Sequence, residues 1–356
     1  MITAQEFLPI ELVFHPNWWH KNYGLSFDKP FYMDLRARIE NDQFMQRVLY
    51  ERFGRIGMGE KDPQPRPVIG SLHIAGGFVI PAMLGCDVLF SPDSSPQVVQ
   101  ANLSEKEIQA LEVPDISTTS PMKELVANIA VLEAEYGYAI GDFDTDGVLN
   151  TALALRGTQQ LFLDLHDNPD LAYHLFDVIA RTHVKVAQYM RDHTGSCSIA
   201  TNRMVARVDP HLYLHSNCSV QMISAETYER MLLASDLYLA SKLQPYGIHH
   251  CGSNMHLLRE AYAKVPSVFF DVGWGSDVAA CREALPDAFF SLRLSPTRML
   301  RCKPAEIAAD VEKLLLDASS LEKAGVCCIN MDYNTPDDNI LAIFEVVKRY
   351  RRCGAL

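Results

Sequence analysis

The chain has no run of about 20 apolar residues, the length a membrane-crossing helix needs, so nothing in it is expected to span a bilayer. Met1–Leu12 carries Glu6 and Glu11 and no basic stretch ahead of an apolar core. No secretory signal is therefore expected, and the protein is placed in the cytoplasm. Clusters of lysine and arginine that would track phosphates are missing as well. With a formal net charge of −12 and a pI of about 5.4, nucleic acid is not an expected partner. No G-x-G-x-x-G follows a strand-like run, which argues against a dinucleotide site. The nine cysteines are odd in number and irregularly spaced, which fits reduced thiols better than a disulfide framework. Low-complexity segments and short repeats are also absent.

What is present is a chain of 356 residues, 48% of them hydrophobic, with a mean hydropathy of −0.03. That is enough for a sizeable core in one large domain or two. Residues 1–60 read as an N-terminal extension. It holds an aromatic arm, His15 to Gly24, and then an amphipathic helix over Leu35–Phe53. Trp18, Trp19 and Tyr23 on this arm are candidate walls of a substrate pocket; the other reading is that they pin the arm to the body of the protein. A proline-rich linker, Asp62 to Pro67, leads into residues 61–356. From Leu212 onward, strand-like and helix-like stretches alternate at short spacing through five β–α units. Helix starts are marked at Ser224 and at Thr335-Pro336. Such repetition predicts a parallel sheet with helices outside. Length and unit count favour an α/β (β/α)8 TIM barrel with an N-terminal extension over an open sheet.

In a barrel, chemistry gathers at the C-terminal ends of the strands. One such end is predicted in Tyr246-Gly247-Ile248-His249-His250-Cys251-Gly252-Ser253-Asn254. His249 and Cys251 are two apart and so point the same way, as two ligands for a metal such as zinc. A buried cysteine beside a satisfied core histidine is the competing reading. Cys327 and Cys328 offer a further thiol on the last strand. Asp142, Asp144 and Asp146 cluster after another strand, where mutual repulsion would raise one pKa. Of these, Asp144 is the candidate catalytic carboxylate. Asn217, after the Leu212–Leu214 strand, is a second catalytic candidate, and Cys218 beside it is a lower-ranked thiol ligand.

Several stretches resemble the uroporphyrinogen decarboxylase superfamily. They are Leu155-Arg156-Gly157 followed by Leu163-Asp164-Leu165 and Asn168-Pro169, Ile223 to Tyr228, His249-x-Cys251-Gly252, and Thr335-Pro336 with Asn339-Ile340. The resemblance spans about residues 138–345 and implies a single (β/α)8 barrel. The arginine-rich N-terminal segment that binds tetrapyrrole carboxylates in true decarboxylases has no counterpart here, which disfavours decarboxylation. The His-x-Cys … Cys pattern resembles instead the zinc-dependent, corrinoid-linked methyltransferases of the superfamily. That resemblance implies zinc held by His249, Cys251 and a cysteine of the last strand. Counting back from Pro336 selects Cys328, with Cys327 as the alternative.

The same resemblance implies cobalamin on a separate partner, a corrinoid protein. The usual cobalamin lower-ligand signature, Asp-x-His-x-x-Gly, does not occur in this chain. The thiol methyltransferases of this branch begin with a short Asp-Arg-x-Pro segment, and this chain has the longer aromatic arm. The arm favours methyl transfer from a methylated small molecule, a methoxylated aromatic, to cobalt(I). A methylcobalamin:thiol methyltransferase and a decarboxylase are the alternatives. Asp93 resembles, one residue out of register, the aspartate of the family's Phe-Ser-Asp turn and is a substrate-binding candidate. A second copy of the chain, as a homodimer, is a further candidate partner.

Overall fold

The structure is a computed structural model and describes residues 2–70, 76–195 and 203–353. Its central feature is a parallel sheet of six strands. In spatial order these are Ile10–Phe14, Ala324–Met331, Phe289–Leu294, Phe269–Val272, Tyr246–His250 and Tyr213–Ser216. Apart from the first strand lying beside the last, neighbours in space are neighbours in the chain, as in a barrel wound in sequence order. Two more strand positions meet at a parallel bridge between Val68 and Ile140. The Ile69 amide donates to the Ile140 carbonyl at 2.8 Å, and the Ile140 amide donates to that of Pro67 at 2.7 Å. The curled sheet and its helices form a TIM-barrel-like α/β fold.

The side-chain period of two divides each strand between the barrel interior and the helix layer. Leu212, Leu214, Phe269, Phe289 and Cys327 fill the interior as one apolar cluster. Ile248, Phe270, Phe290, Leu292 and Cys328 pack with the helices. Arg282, on the helix Val278–Ala284, covers the Phe290 ring at 3.7 Å. The expected helix over Leu35–Phe53 forms with Asp34 as its cap, which accepts from the Ala37 amide at 2.8 Å. The helix start expected at Ser224 forms, its side chain accepting from the Thr227 amide, and the helical stretch divides at Leu232 into Ala225–Met231 and Leu233–Lys242.

The N-terminal residues do more than extend the barrel. Ile10–Phe14 pairs in parallel with the last strand, Ile10 opposite Val326 and Leu12 opposite Cys328, so residues 1–60 supply a strand of the sheet. The aromatic arm follows as the helix Pro16–Tyr23. Trp18 and Trp19 are 0% and 1% exposed, which makes them core rather than open walls. Trp18 packs on Phe14 with ring centroids 4.1 Å apart. The Tyr23 hydroxyl accepts from Arg52 at 3.2 Å. No helix among the described residues is long and apolar enough to cross a membrane.

Candidate metal centre at the barrel mouth

Three side chains converge where the Tyr213–Ser216 and Tyr246–His250 strands end. The potential ligand atoms of Cys218, His249 and Cys251 all lie within 4.8 Å of one another. His249 is delivered by the strand itself and is fully buried. Cys251 is the next interior-facing position, just past the strand end, and is exposed. Cys218 opens the short turn Cys218–Met222, after the neighbouring strand.

The backbone around the three is tightly fixed. The Asn217 amide donates to the His249 carbonyl at 2.8 Å, tying the two strand ends together. The Asn217 side chain turns inward and donates to Asp236 Oδ2 at 2.8 Å. Asp236 also accepts from the Tyr228 hydroxyl at 2.5 Å and from that of Tyr246 at 3.1 Å. Asn217, 3% exposed, thus anchors the turn that carries Cys218 and is not turned toward the mouth. On the other side, Gly273 lies against the Cys251 loop so closely that a Cβ there would sit 2.0 Å from the Gly252 carbonyl oxygen.

The electrostatics set the charge states of the metal-free cluster. Asp271, opposite His249 in the adjacent strand, accepts a hydrogen bond from its Nδ1–H at 2.5 Å. This carboxylate–histidine pairing fixes the ring and directs Nε2 at the cluster. Burial alone would lower the pKa of His249, but the Asp271 carboxylate outweighs it and raises it to about 9. The Cys251 thiol is pulled far below its ordinary range, first by the hydrogen bond from Cys218 and then by His249 and Arg293. The Cys218 thiol, as the donor of that bond, is pushed up. In the metal-free cluster a Cys251 thiolate therefore faces a protonated His249, whose Nε2 proton a bound cation would displace. Two sulfurs and one imidazole nitrogen, with the far nitrogen already engaged, are a donor set that fits zinc.

Cys328 does not join this cluster. It lies one residue from the interior-facing Cys327 and so faces the helix layer, where its thiol donates to the Leu294 carbonyl at 3.7 Å. Burial pushes that thiol up to about 12. Cys327 does face inward, but lower in the barrel, where it accepts from the Ser291 hydroxyl at 3.2 Å.

The acidic cluster lies beside the centre. Asp144 accepts from the Asp146 amide at 2.9 Å and the Gly76 amide at 3.3 Å. It lines a small cavity of about 20 Å³ with Tyr32, Ile69, Phe78, Val79 and Phe143. Burial raises the pKa of Asp144, and burial together with the Asp144 charge raises that of Asp146 to about 7. Asp93 lies in the turn between the short strands Val88–Ser91 and Ser94–Val98.

Residues 74–350 match the family model described as Uroporphyrinogen decarboxylase (URO-D). The chain belongs to the uroporphyrinogen decarboxylase family. Among solved structures, this family member is similar to a methyltransferase from Methanosarcina mazei. The TM-score is 0.68 at 13% identity, covering 97% of this chain and 94% of the other. It is also similar to a B12-independent methionine synthase from Shewanella sp. W3-18-1, solved in complex with selenomethionine. There the TM-score is 0.50 at 12% identity, covering 99% and 100%. At such identities the likeness is one of fold. No curated protein matches the sequence.

Two residues of the centre carry a signal that sequence reading passed over. Asp271 interrupts Phe269-Phe270-Asp271-Val272, and Arg293 interrupts Phe289 to Leu294; both runs are otherwise nearly apolar. A charge inside such a strand is costly unless it is paired, so it marks either a partner or a site.

Proposed function

We propose that this family member is a zinc-dependent methyltransferase. It takes a methyl group from a methylated small molecule, a methoxylated aromatic, for transfer to the cobalt(I) of a separate corrinoid protein. The observation that carries this reading is the convergence of Cys218, His249 and Cys251 at the barrel mouth with Asp271 behind the histidine. Cys218 and Cys251 would hold the metal through sulfur and His249 through Nε2, a three-ligand set that leaves a fourth position for substrate. Zinc so bound supplies a Lewis acid for an oxygen that becomes negative as its methyl group departs.

The remaining work falls to the protein's own side chains. Asp271 holds the imidazole ring so that Nε2 keeps its aim. Asn217 and Asp236 hold the Cys218 turn in place. Tyr32, Phe78 and Phe143, buried like Trp18 and Trp19 but lining the small cavity at Asp144, would supply the aromatic walls. Asp144 lies at the edge of that cavity. Its raised pKa suits it to hold a proton there and donate a hydrogen bond to substrate.

The test mixes zinc-loaded protein with a reduced corrinoid carrier and a panel of methyl donors, following cobalt(I) loss optically. Methoxylated aromatics should methylate the cobalt, while methanol and methylamines should not. Activity confined to methylcobalamin plus a thiol would replace this reading with a thiol methyltransferase. Turnover of uroporphyrinogen without zinc or corrinoid would replace it with a decarboxylase.

A further inference from the structure

Arg293 is the charged group at the centre that the reading above leaves without a task. It projects from the Phe289–Leu294 strand on the same face as Ser291, two residues nearer the mouth. It is 8% exposed, and its Nε is buried without a hydrogen-bond partner. Its Nη1 stands 3.4 Å from His249 Nε2, the nitrogen aimed at the cluster. An arginine keeps its proton in proteins, so the guanidinium is charged here. Among the described residues no carboxylate lies within salt-bridge distance of it, and the nearby Asp271 carboxylate is engaged by His249.

A buried guanidinium needs acceptors. The two groups it faces, His249 Nε2 and the Cys251 sulfur, are those a cation would occupy. Charge leads the same way. Two thiolates cancel a divalent cation, so Asp271 alone would leave the site negative and repel an arriving anion. Arg293 restores neutrality and presents its donors beside the open position.

We infer that Arg293 is an anion-binding residue of this site, and that the small molecule handled there carries, or develops, its negative charge on the atom placed beside the cluster. This inference rests on the proposed function and narrows it to substrates with a phenolate-type or thiolate-type reacting atom. A neutral group that stays neutral would leave the guanidinium unmet.

The experiment compares an anion with its neutral methyl ether. Binding of 4-nitrophenolate and of 4-nitroanisole to the zinc-loaded full chain is measured by equilibrium dialysis, at a pH where the phenol is ionised. The wild type should bind the phenolate about tenfold more tightly than the ether or better, the range of a hydrogen bond to a charged group. Arg293→Lys should keep most of that preference. Arg293→Met should lose it through weaker phenolate binding, with ether binding unchanged. Arg293→Gln, which retains donors but not charge, serves the same purpose if the methionine variant does not fold. No preference in the wild type, or an equal loss of both ligands in the neutral variants, overturns the inference. Cobalt(I) methylation is scored separately. A preference that depends on Arg293, without methyl transfer from any donor, sinks the proposed function alone. Methyl transfer without that preference sinks this inference alone.

Discussion

At the scale of single residues, the candidate centre depends on which sulfur faces it. Cys218 and Cys251 reach His249, and Cys328 donates to a carbonyl in the helix layer. We expect about one zinc per chain by elemental analysis. Cys251→Ala and Cys218→Ser should lose most of it, while Cys328→Ser should retain it. Full zinc content in Cys218→Ser would move the third ligand elsewhere. Asp271 acts one step back, through the imidazole. Asp271→Asn keeps the shape but no longer fixes which ring nitrogen carries the proton. Its zinc affinity, measured by competition with a chelator, should fall about 10- to 100-fold. An unchanged affinity would show that the 2.5 Å contact to His249 is only structural.

At the scale of elements, the site is made by strand ends held at fixed heights. The Tyr213–Ser216 and Tyr246–His250 strands are in register, with Ser216 opposite His249, so the residues just past each end share one space. The loop after Phe269–Val272 then presses Gly273 onto the backbone of Cys251 and Gly252. Gly273→Ala touches no ligand, yet its Cβ would meet the Cys251 carbonyl oxygen at 2.7 Å as well as that of Gly252. The Cys251 loop must give way, and zinc occupancy should drop while the far-ultraviolet circular dichroism stays that of the wild type. Normal occupancy would mean the loop can shift without moving the Cys251 sulfur.

At the scale of the whole molecule, the barrel carries buried charge at a cost to its stability. Asp146 is partly buried, and burial together with Asp144 raises its pKa from an ordinary 3.8 to about 7. Between those values the folded chain keeps a proton that the unfolded chain has released. Stability of the metal-free protein should therefore fall as pH rises from about 4 to about 7. Asp146→Asn should flatten that slope and stabilise the protein at neutral pH by about 1 kcal/mol or more in urea denaturation. Asparagine tolerates the left-handed backbone that Asp146 adopts, with φ of 63°. A variant with the wild-type slope would show that the carboxylate is not buried enough to matter.

Local pattern alone was enough for the barrel-like fold and for putting His249 and Cys251 on one face. Alternation of apolar strands with capped helices is a property of short segments. The helix Leu35–Phe53 accordingly forms over the expected residues. The two-residue spacing of His249 and Cys251 is equally local, and it survives folding because a strand has only two faces. What folding decided is how far each strand climbs and what lies beside it. The last strand runs on to Met331, which leaves Cys327 below the mouth and turns Cys328 outward. Cys218 enters because Asn217 is pulled in by Asp236, nineteen positions away in the chain. Ile10–Phe14 became a barrel strand because the last strand offered it an edge, and that burial took Trp18 and Trp19 into the core. Asp271 and Arg293 were visible as charges in apolar runs, but only parallel register set them beside His249. Periodicity is written along the chain, whereas register and depth arise from contacts between segments far apart in it.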